Sequence, residues 1–166
     1  MSCINELREY LRQNIKLLTG SFVQKKDKYE TDFCNILSEM TLDESRYWDC
    51  FYTTNLGEKI FIELKKGKSI WIDLVRYSEV LLKKTADSKI KTITIFLIPN
   101  KEKTKITHIY AFETDRLINS VFNLDESKAI SLINLKETLP HSLNAQASLT
   151  LTTLKNNHYF EIQLEE

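Results

Sequence analysis

Residues 48–68, WDCFYTTNLGEKIFIELKKGK, decide the fold that this sequence predicts. Two runs rich in β-branched and aromatic residues flank a short polar turn, and they predict a β-hairpin with strands at 48–54 and 59–64 around the turn 55–58. Successive side chains of a strand point to opposite faces, so Glu63 and Lys65 share one face of the second strand. The hairpin therefore presents two polar groups together at the end of an apolar strand.

The hairpin register decides whether Asp49 joins this face. A four-residue loop over 55–58 would pair Asp49 with Leu64 and turn the carboxylate to the opposite face. A three-residue loop, Asn55-Leu56-Gly57, pairs Asp49 with Glu63 instead, and its last residue is one of only three glycines in the chain. Because such a loop needs a left-handed residue at that position, we favour the second register.

Two carboxylates a few ångströms apart repel each other unless a cation lies between them, and hard oxygen ligands suit Mg²⁺, with Mn²⁺ as a substitute. Phosphodiester hydrolysis uses such an ion to activate water and to stabilise charge on the phosphate, and a lysine can orient the water. We therefore predict that Asp49 and Glu63 bind metal and that Lys65 positions the attacking water. The tripeptide (D/E)-x-K is not specific by itself, because it also occurs at 87–89 and 126–128. Its place at the end of an apolar strand gives it weight.

The whole pattern predicts one mixed α/β domain over residues 1–166, in the order α-α-β-β-α-β-β-α-β-β. Apolar residues at helical spacing predict helices at 2–20, 29–40, 71–84 and 114–122. Beyond the first hairpin, β-rich runs predict strands at 92–98 and 105–112 and a terminal hairpin of 149–154 and 159–164. The run at 92–98 is almost continuously apolar, which is typical of a central strand buried on both faces.

Composition excludes several classes of protein. Lysine plus arginine and aspartate plus glutamate both number 23, so no global positive charge indicates nucleic acid. The three cysteines are far apart and odd in number, which argues against a disulfide framework and favours a cytoplasmic protein. No apolar stretch is long enough for a signal peptide or a membrane span. The three histidines are isolated along the chain, so zinc-ligand spacing is absent: His108, His141 and His158.

The hairpin and its flanking helices resemble the PD-(D/E)XK nuclease superfamily, which includes type II restriction endonucleases, RecB-like nucleases and archaeal Holliday junction resolvases. The resemblance covers about residues 29–122. It implies a restriction-endonuclease-like mixed β-sheet flanked by helices, with a core of helix, three-stranded meander, helix and strand. It places the family's two acids at Asp49 and Glu63 and its lysine at Lys65, while Trp48 stands where proline is common.

The resemblance also implies further site residues. Many members carry a glutamate on the helix before the hairpin, for which Glu30 is the best match and Glu39 the competitor. The Leu64 carbonyl would join the metal ligands. Tyr77 matches the tyrosine of a RecB-like motif, although Asp73 stands where glutamine is expected. The candidate contacts to substrate phosphate are Lys66, Lys68, Arg76 and Tyr77. For the charged strand residues the alternative is a solvated face with a weak ion pair.

The implied activity is Mg²⁺-dependent hydrolysis of DNA by a restriction or defence endonuclease. Residues 123–166 then form a C-terminal extension that takes part in recognition, and a homodimer would match a palindromic site. Two alternatives stay open: a structure-specific, junction-resolving nuclease, and a non-catalytic module on the same fold that binds nucleic acid or protein.

Overall fold

A computed structural model describes residues 3–18, 29–45, 47–67, 69–87, 89–136 and 146–164. Its strands are β1 (Met40–Leu42), β2 (Cys50–Thr53), β3 (Lys59–Lys66), β4 (Ser69–Asp73), β5 (Lys91–Pro99), β6 (Ile106–Glu113), β7 (Gln146–Thr150) and β8 (Phe160–Gln163). Its helices are α1 (Cys3–Gln13), α2 (Ile15–Leu18), α3 (Tyr29–Ile36), α4 (Leu74–Ala86), α5 (Thr114–Arg116), α6 (Glu126–Lys136) and α7 (Leu151–Asn157). A π-helical turn, Leu117–Val121, continues α5.

Six of these strands form a mixed sheet in the order β1-β2-β3-β5-β6-β8, and β4 pairs with β7 separately. Strands β1, β2 and β3 form an antiparallel meander. The chain then crosses through α4, so that β5 lies parallel to β3, as a strand-helix-strand connection requires. The prediction of a mixed sheet flanked by helices is confirmed at this level.

Each face of the sheet has its own hydrophobic core. Helices α1, α2 and α3 cover the first face, where Leu7, Leu11 and Phe33 pack on alternate residues of β3 and β5. Helices α4 and α7 and the π-helical turn cover the second face, which contains Tyr77, Phe96, Phe112, Leu117 and Leu154. Strand β5 is buried at every position from Thr92 to Pro99, so the prediction of a central strand is confirmed.

The predicted three-residue hairpin loop is also confirmed. Strand β2 pairs with β3 from Cys50 opposite Ile62 to Thr53 opposite Lys59. The Thr54 amide donates to the Glu58 carbonyl at 2.8 Å, and Gly57 is left-handed with φ 82°. The ladder ends at Cys50 opposite Ile62; the Asp49 amide donates to the Ile62 carbonyl, so the predicted pairing of Asp49 with Glu63 is not part of the ladder.

The predicted second helix and the predicted helix at 71–84 are each partly wrong. The second helix ends at Ile36 and not at 40, because Met40–Leu42 pairs with β2 and its edge-strand hydrogen bonds replace another helical turn. The helix predicted at 71–84 begins at Leu74, where the Asp73 carboxylate accepts the Val75 amide and caps it. Residues 69–73 are strand β4.

The terminal hairpin is wrong. Its first half divides into β7 and α7, and the Thr150 hydroxyl accepts the Thr153 amide at the start of that helix. Its second half, β8, pairs with β6 at the edge of the main sheet and not with β7. Helix α6 was not predicted; it packs against α4. Among the described residues, no helix combines the length and apolar character needed to cross a bilayer.

Candidate active site

Glu63 and Lys65 lie on the second face of β3, while their neighbours Ile62 and Leu64 are buried in the core of the first face. Glu63 is only 3% exposed. Its Oε1 lies 3.2 Å from Lys65 Nζ and 3.6 Å from Arg76 Nη1, which projects from the first turn of α4. The strand pattern thus places a buried carboxylate against two basic side chains.

The ion pairs leave Glu63 with an unused acceptor. Both cations are within ion-pair distance, yet Oε1 accepts no hydrogen bond of normal geometry from any residue that the structure describes. A buried ionised carboxylate is costly unless it is both neutralised and hydrogen-bonded. Glu63 Oε1 therefore retains the capacity to bind an additional cation.

Asp49 lies where β2 separates from β3. Its amide donates to the Ile62 carbonyl at 2.9 Å, one residue out of the ladder register, and its Oδ2 accepts the Leu64 amide at 2.7 Å. The pKa of Asp49 is raised to about 6, mainly by burial; the charges of Glu63 and Glu30 also raise it, whereas the hydrogen bond from the Leu64 amide and the charge of Lys65 lower it. The ionised form of Asp49 is thus disfavoured by burial and by the two neighbouring carboxylates.

The Leu64 peptide lies between the two acids and α3. Its amide binds Asp49, and its carbonyl accepts a hydrogen bond from the Tyr29 hydroxyl at 3.3 Å. Burial and the neighbouring Glu30 carboxylate both raise the pKa of Tyr29 above its ordinary value, with smaller contributions from the two acids. Tyr29 therefore stays neutral and donates its hydroxyl hydrogen to the Leu64 carbonyl.

Glu30 lies in the first turn of α3, half-buried, and its charge acts on Asp49 and on Lys66. Lys66 Nζ in turn stands 4.8 Å from the centre of the Tyr29 ring. Glu39 lies elsewhere, with its amide bonded to the hydroxyl of Tyr10 on α1. Of the two glutamates considered for the extra ligand, Glu30 is the one whose charge acts on Asp49.

Tyr77 is placed beneath the site and not on its surface. It is 1% exposed, and its hydroxyl lies 3.3 Å from that of Thr94, which is 3.0 Å from the hydroxyl of Thr114. Burial, with a contribution from Glu63, raises the pKa of Tyr77 well above its ordinary value. A phosphate contact needs an exposed group, so the predicted phosphate contact of Tyr77 is not supported. Arg76 and Lys66 are accessible at the site, and Lys68 lies outside the described residues.

Two residues beside this site were not predicted from the sequence. Tyr29 has the pattern of an apolar helix position, and Thr94 comes opposite Glu63 only through the parallel pairing of β3 with β5. Asp73 could have been recognised, since an aspartate directly before an amphipathic run is a common helix N-cap. It explains why aspartate stands where the resemblance expects glutamine.

The oxygen donors available here are two carboxylates and a backbone carbonyl. In the part of the chain that the structure describes, no group of three or more histidine, cysteine, aspartate or glutamate side chains is arranged to hold a metal ion. Two of the histidines that are isolated in sequence do meet in the fold: His108 and His158 each lie 3.8 Å from the Glu161 carboxylate.

No model of a protein family matches this chain, and a search of curated proteins gave no match. The arrangement of Asp49, Glu63 and Lys65 is therefore the basis for any statement about function.

Proposed function

We propose that this protein is a Mg²⁺-dependent endonuclease that hydrolyses DNA phosphodiester bonds, of a restriction or defence type and active as a homodimer. The observation that carries the proposal is the placement of two acids at one peptide: Asp49 binds the Leu64 amide, and Glu63 precedes Leu64 with Lys65 at 3.2 Å. Such a set of residues provides oxygen ligands for a hard cation and a base or proton carrier beside them.

The order of elements supports the proposal. A helix, the antiparallel meander β1-β2-β3, helix α4 and the strand β5 parallel to β3 occur in this order along the chain, with the short strand β4 between β3 and α4. This is the order that the resemblance to the PD-(D/E)XK superfamily implies. A restriction-endonuclease-like fold is therefore part of the proposal.

The residues at this position fit a divalent cation. Glu63 Oε1 is a buried acceptor that receives no hydrogen bond from a described residue, and the pKa of Asp49 is raised by burial and by its acidic neighbours. A divalent cation would add to the neutralisation that Lys65 and Arg76 provide. Asp49, Glu63 and the Leu64 carbonyl would hold the ion, and Glu30, whose charge acts on Asp49, would have to approach them to add a further ligand. Mg²⁺ bound there would supply Lewis-acid activation of water and charge neutralisation at the phosphate.

The basic side chains have separate tasks in this proposal. Lys65 is mostly buried with its amine at Glu63, so it is positioned to hold the attacking water and stabilise charge developing on the phosphate. The Arg76 side chain is 44% exposed. When substrate binds, its guanidinium can leave the Glu63 carboxylate and bind a phosphate oxygen, since it binds both kinds of oxyanion. Arg76 lies in the first turn of α4, where the helix dipole disfavours a cation, so the nearby carboxylate holds it in place.

The test is cleavage of supercoiled plasmid in Mg²⁺ or Mn²⁺ by wild type and by Glu63→Gln and Lys65→Met variants. The chain offers a matched control in its other Glu-x-Lys tripeptide: Glu126 and Lys128 are exposed on α6, and Glu126→Gln and Lys128→Met remove the same groups. We expect at least about a 100-fold loss of rate for each site variant, as for removal of a main electrostatic group in an active site, and no loss for the controls.

Equal cleavage by all five proteins would refute the site, because the activity would come from elsewhere. Absence of cleavage together with absence of Mn²⁺ binding would end the enzyme proposal and favour a non-catalytic binding module. Faster cleavage of a four-way junction than of a linear duplex would identify a structure-specific nuclease.

A further inference from the structure

The turn between β5 and β6, residues 100–105, carries three lysines, Lys101, Lys103 and Lys105, all exposed. The turn has a defined conformation. The Asn100 side chain accepts the Thr104 amide at 2.8 Å and donates to the Thr104 hydroxyl at 2.8 Å, and the Asn100 amide donates to the Lys105 carbonyl at 2.9 Å. Side chains on such a turn are presented in a fixed direction.

The turn follows the end of β5 that lies beside the candidate site. Lys66 is paired with Leu97, and the Gly67 amide donates to the Leu97 carbonyl at 3.0 Å, so β3 and β5 end side by side. The turn that carries Lys103 therefore leaves the sheet next to Lys66, whose amine lies 4.8 Å from the centre of the Tyr29 ring.

Charge is distributed unevenly between the two ends of β3. At the end with the candidate site, the lysine-bearing turn includes a single acid, Glu102, and neither Lys101 nor Lys103 has an acidic partner at ion-pair distance among the described residues. At the opposite end, beside the β2–β3 loop, three glutamates line a groove with Tyr10 and Tyr52: Glu6, Glu9 and Glu39. The lysine-bearing turn is thus locally positive and the groove at the opposite end is locally acidic, although the net charge of the chain is zero.

We propose that the turn 100–105 is a contact surface for the DNA backbone, in which Lys101 and Lys103 bind phosphates next to those at the candidate site. The inference rests on the proposed function and adds to it the surface that aligns the duplex with Glu63 and Lys65. Ammonium groups on a fixed turn bind phosphates without regard to sequence, so this surface sets position and affinity, and not specificity.

The test measures binding of a fluorescein-labelled 24-base-pair duplex by fluorescence anisotropy, in EDTA, over a range of KCl concentrations. The turn variant is Lys101→Ala/Lys103→Gly. Lys103 has φ 57°, a conformation that glycine adopts without strain, so this substitution removes the side chain and preserves the turn. The control is Lys89→Ala/Lys155→Ala, which removes the same charge from two exposed lysines outside the turn.

Each lost phosphate contact reduces the slope of log affinity against log salt by about 0.9. We expect the turn variant to lose about 1.8 from this slope and to bind the duplex roughly tenfold more weakly at moderate salt, while the control keeps the slope of wild type.

A turn variant with the slope of wild type, or a control with an equal loss, would overturn this inference alone if the wild type still binds and cleaves DNA. Failure of the wild type to bind the duplex would overturn the inference together with the proposed function.

Discussion

The position of Asp49 reduces the stability of the folded chain, and Glu63 lies buried beside Lys65 and Arg76. Glu63 is buried with an oxygen that accepts no hydrogen bond within the described structure, and the pKa of Asp49 is raised to about 6 by burial and neighbouring acids. Structural acids are usually arranged in the opposite sense, with hydrogen bonds and cations that lower their pKa. Groups held at a cost to stability are characteristic of functional sites.

The pH dependence of stability should reveal Asp49. Its pKa is higher in the folded chain than the ordinary 3.8, so the folded state binds the proton more tightly, and stability falls as pH rises from about 4 to about 6. Asp49→Asn removes this cost and should raise the free energy of unfolding at pH 7.5 by up to about 3 kcal/mol, at about 1.4 kcal/mol per pKa unit. Urea denaturation in EDTA measures the difference, which should shrink toward zero near pH 4.

Asp87→Asn serves as the control for this measurement, because Asp87 is exposed at the C-terminal end of α4. It should follow wild type throughout. An Asp49→Asn protein that is less stable than wild type at pH 7.5 would contradict this prediction. It would show that the hydrogen bond from the Leu64 amide to the carboxylate stabilises the fold by more than burial of the charge destabilises it.

The principal acids and the lysine could be predicted from the sequence because they depend on local rules. Strand alternation places Glu63 and Lys65 together, and a loop of known length brings Asp49 to them. The residues that complete the site depend on contacts distant in sequence. Tyr29 reaches the Leu64 carbonyl from 35 residues away, and Tyr77 meets Thr94 only after α4 has packed on the sheet.

At the scale of elements, the β2–β3 hairpin determines the site. Gly57 adopts φ 82° in its loop, and nothing lies within 4 Å of the position that a Cβ would occupy. Any effect of substitution there comes from backbone conformation and not from a clash. The core residues of both strands, including Cys50 and Ile62, hold the same register independently of the loop.

Gly57→Ala should therefore lower the free energy of unfolding by about 1 kcal/mol, the cost of a left-handed conformation for an L-residue, without moving the site. Gly57→Asn should cost less, because asparagine tolerates this conformation. Urea denaturation measures both, and Leu56→Ala is the control, since Leu56 is 88% exposed in the same loop. Loss of DNA cleavage in a stably folded Gly57→Ala protein would instead mean that the loop alone fixes the register.

The elements that could not be predicted are those in which a local pattern fits two structures. Leu149, Leu151 and Leu154 fit a strand by alternation and a helix by their spacing of three, and Thr150 separates the two by capping α7. Met40 continues the apolar face of α3 in the sequence, yet in the structure it belongs to β1 and pairs with Tyr52 of β2. In each case pairing with a distant strand outweighs local preference, as is common for strand formation.

At the scale of the whole molecule, the six-stranded sheet lies between the two hydrophobic cores, and the candidate site is on its inner strand β3. Strand β3 is paired on both sides, with β2 and with β5, so Glu63 and Lys65 are held on a central element. A site on such an element is more rigid than one on a loop, and ligand binding there stabilises the whole fold.

Mg²⁺ should accordingly raise the thermal stability of the protein if it binds at Asp49 and Glu63. A ligand that binds only the folded state at about 100 times its dissociation constant contributes about 2.7 kcal/mol. For a chain of this length, each kcal/mol shifts the melting temperature by about 2–4 °C, so we expect a rise of about 5–10 °C. Thermal unfolding followed by circular dichroism, with MgCl₂ compared to NaCl at equal ionic strength, measures the shift.

Glu63→Gln removes one of the proposed ligands and should abolish most of the rise, whereas Glu126→Gln should retain it. An equal rise in both variants would place the ion elsewhere on the protein, because the buried acceptor of Glu63 would then have no part in holding it.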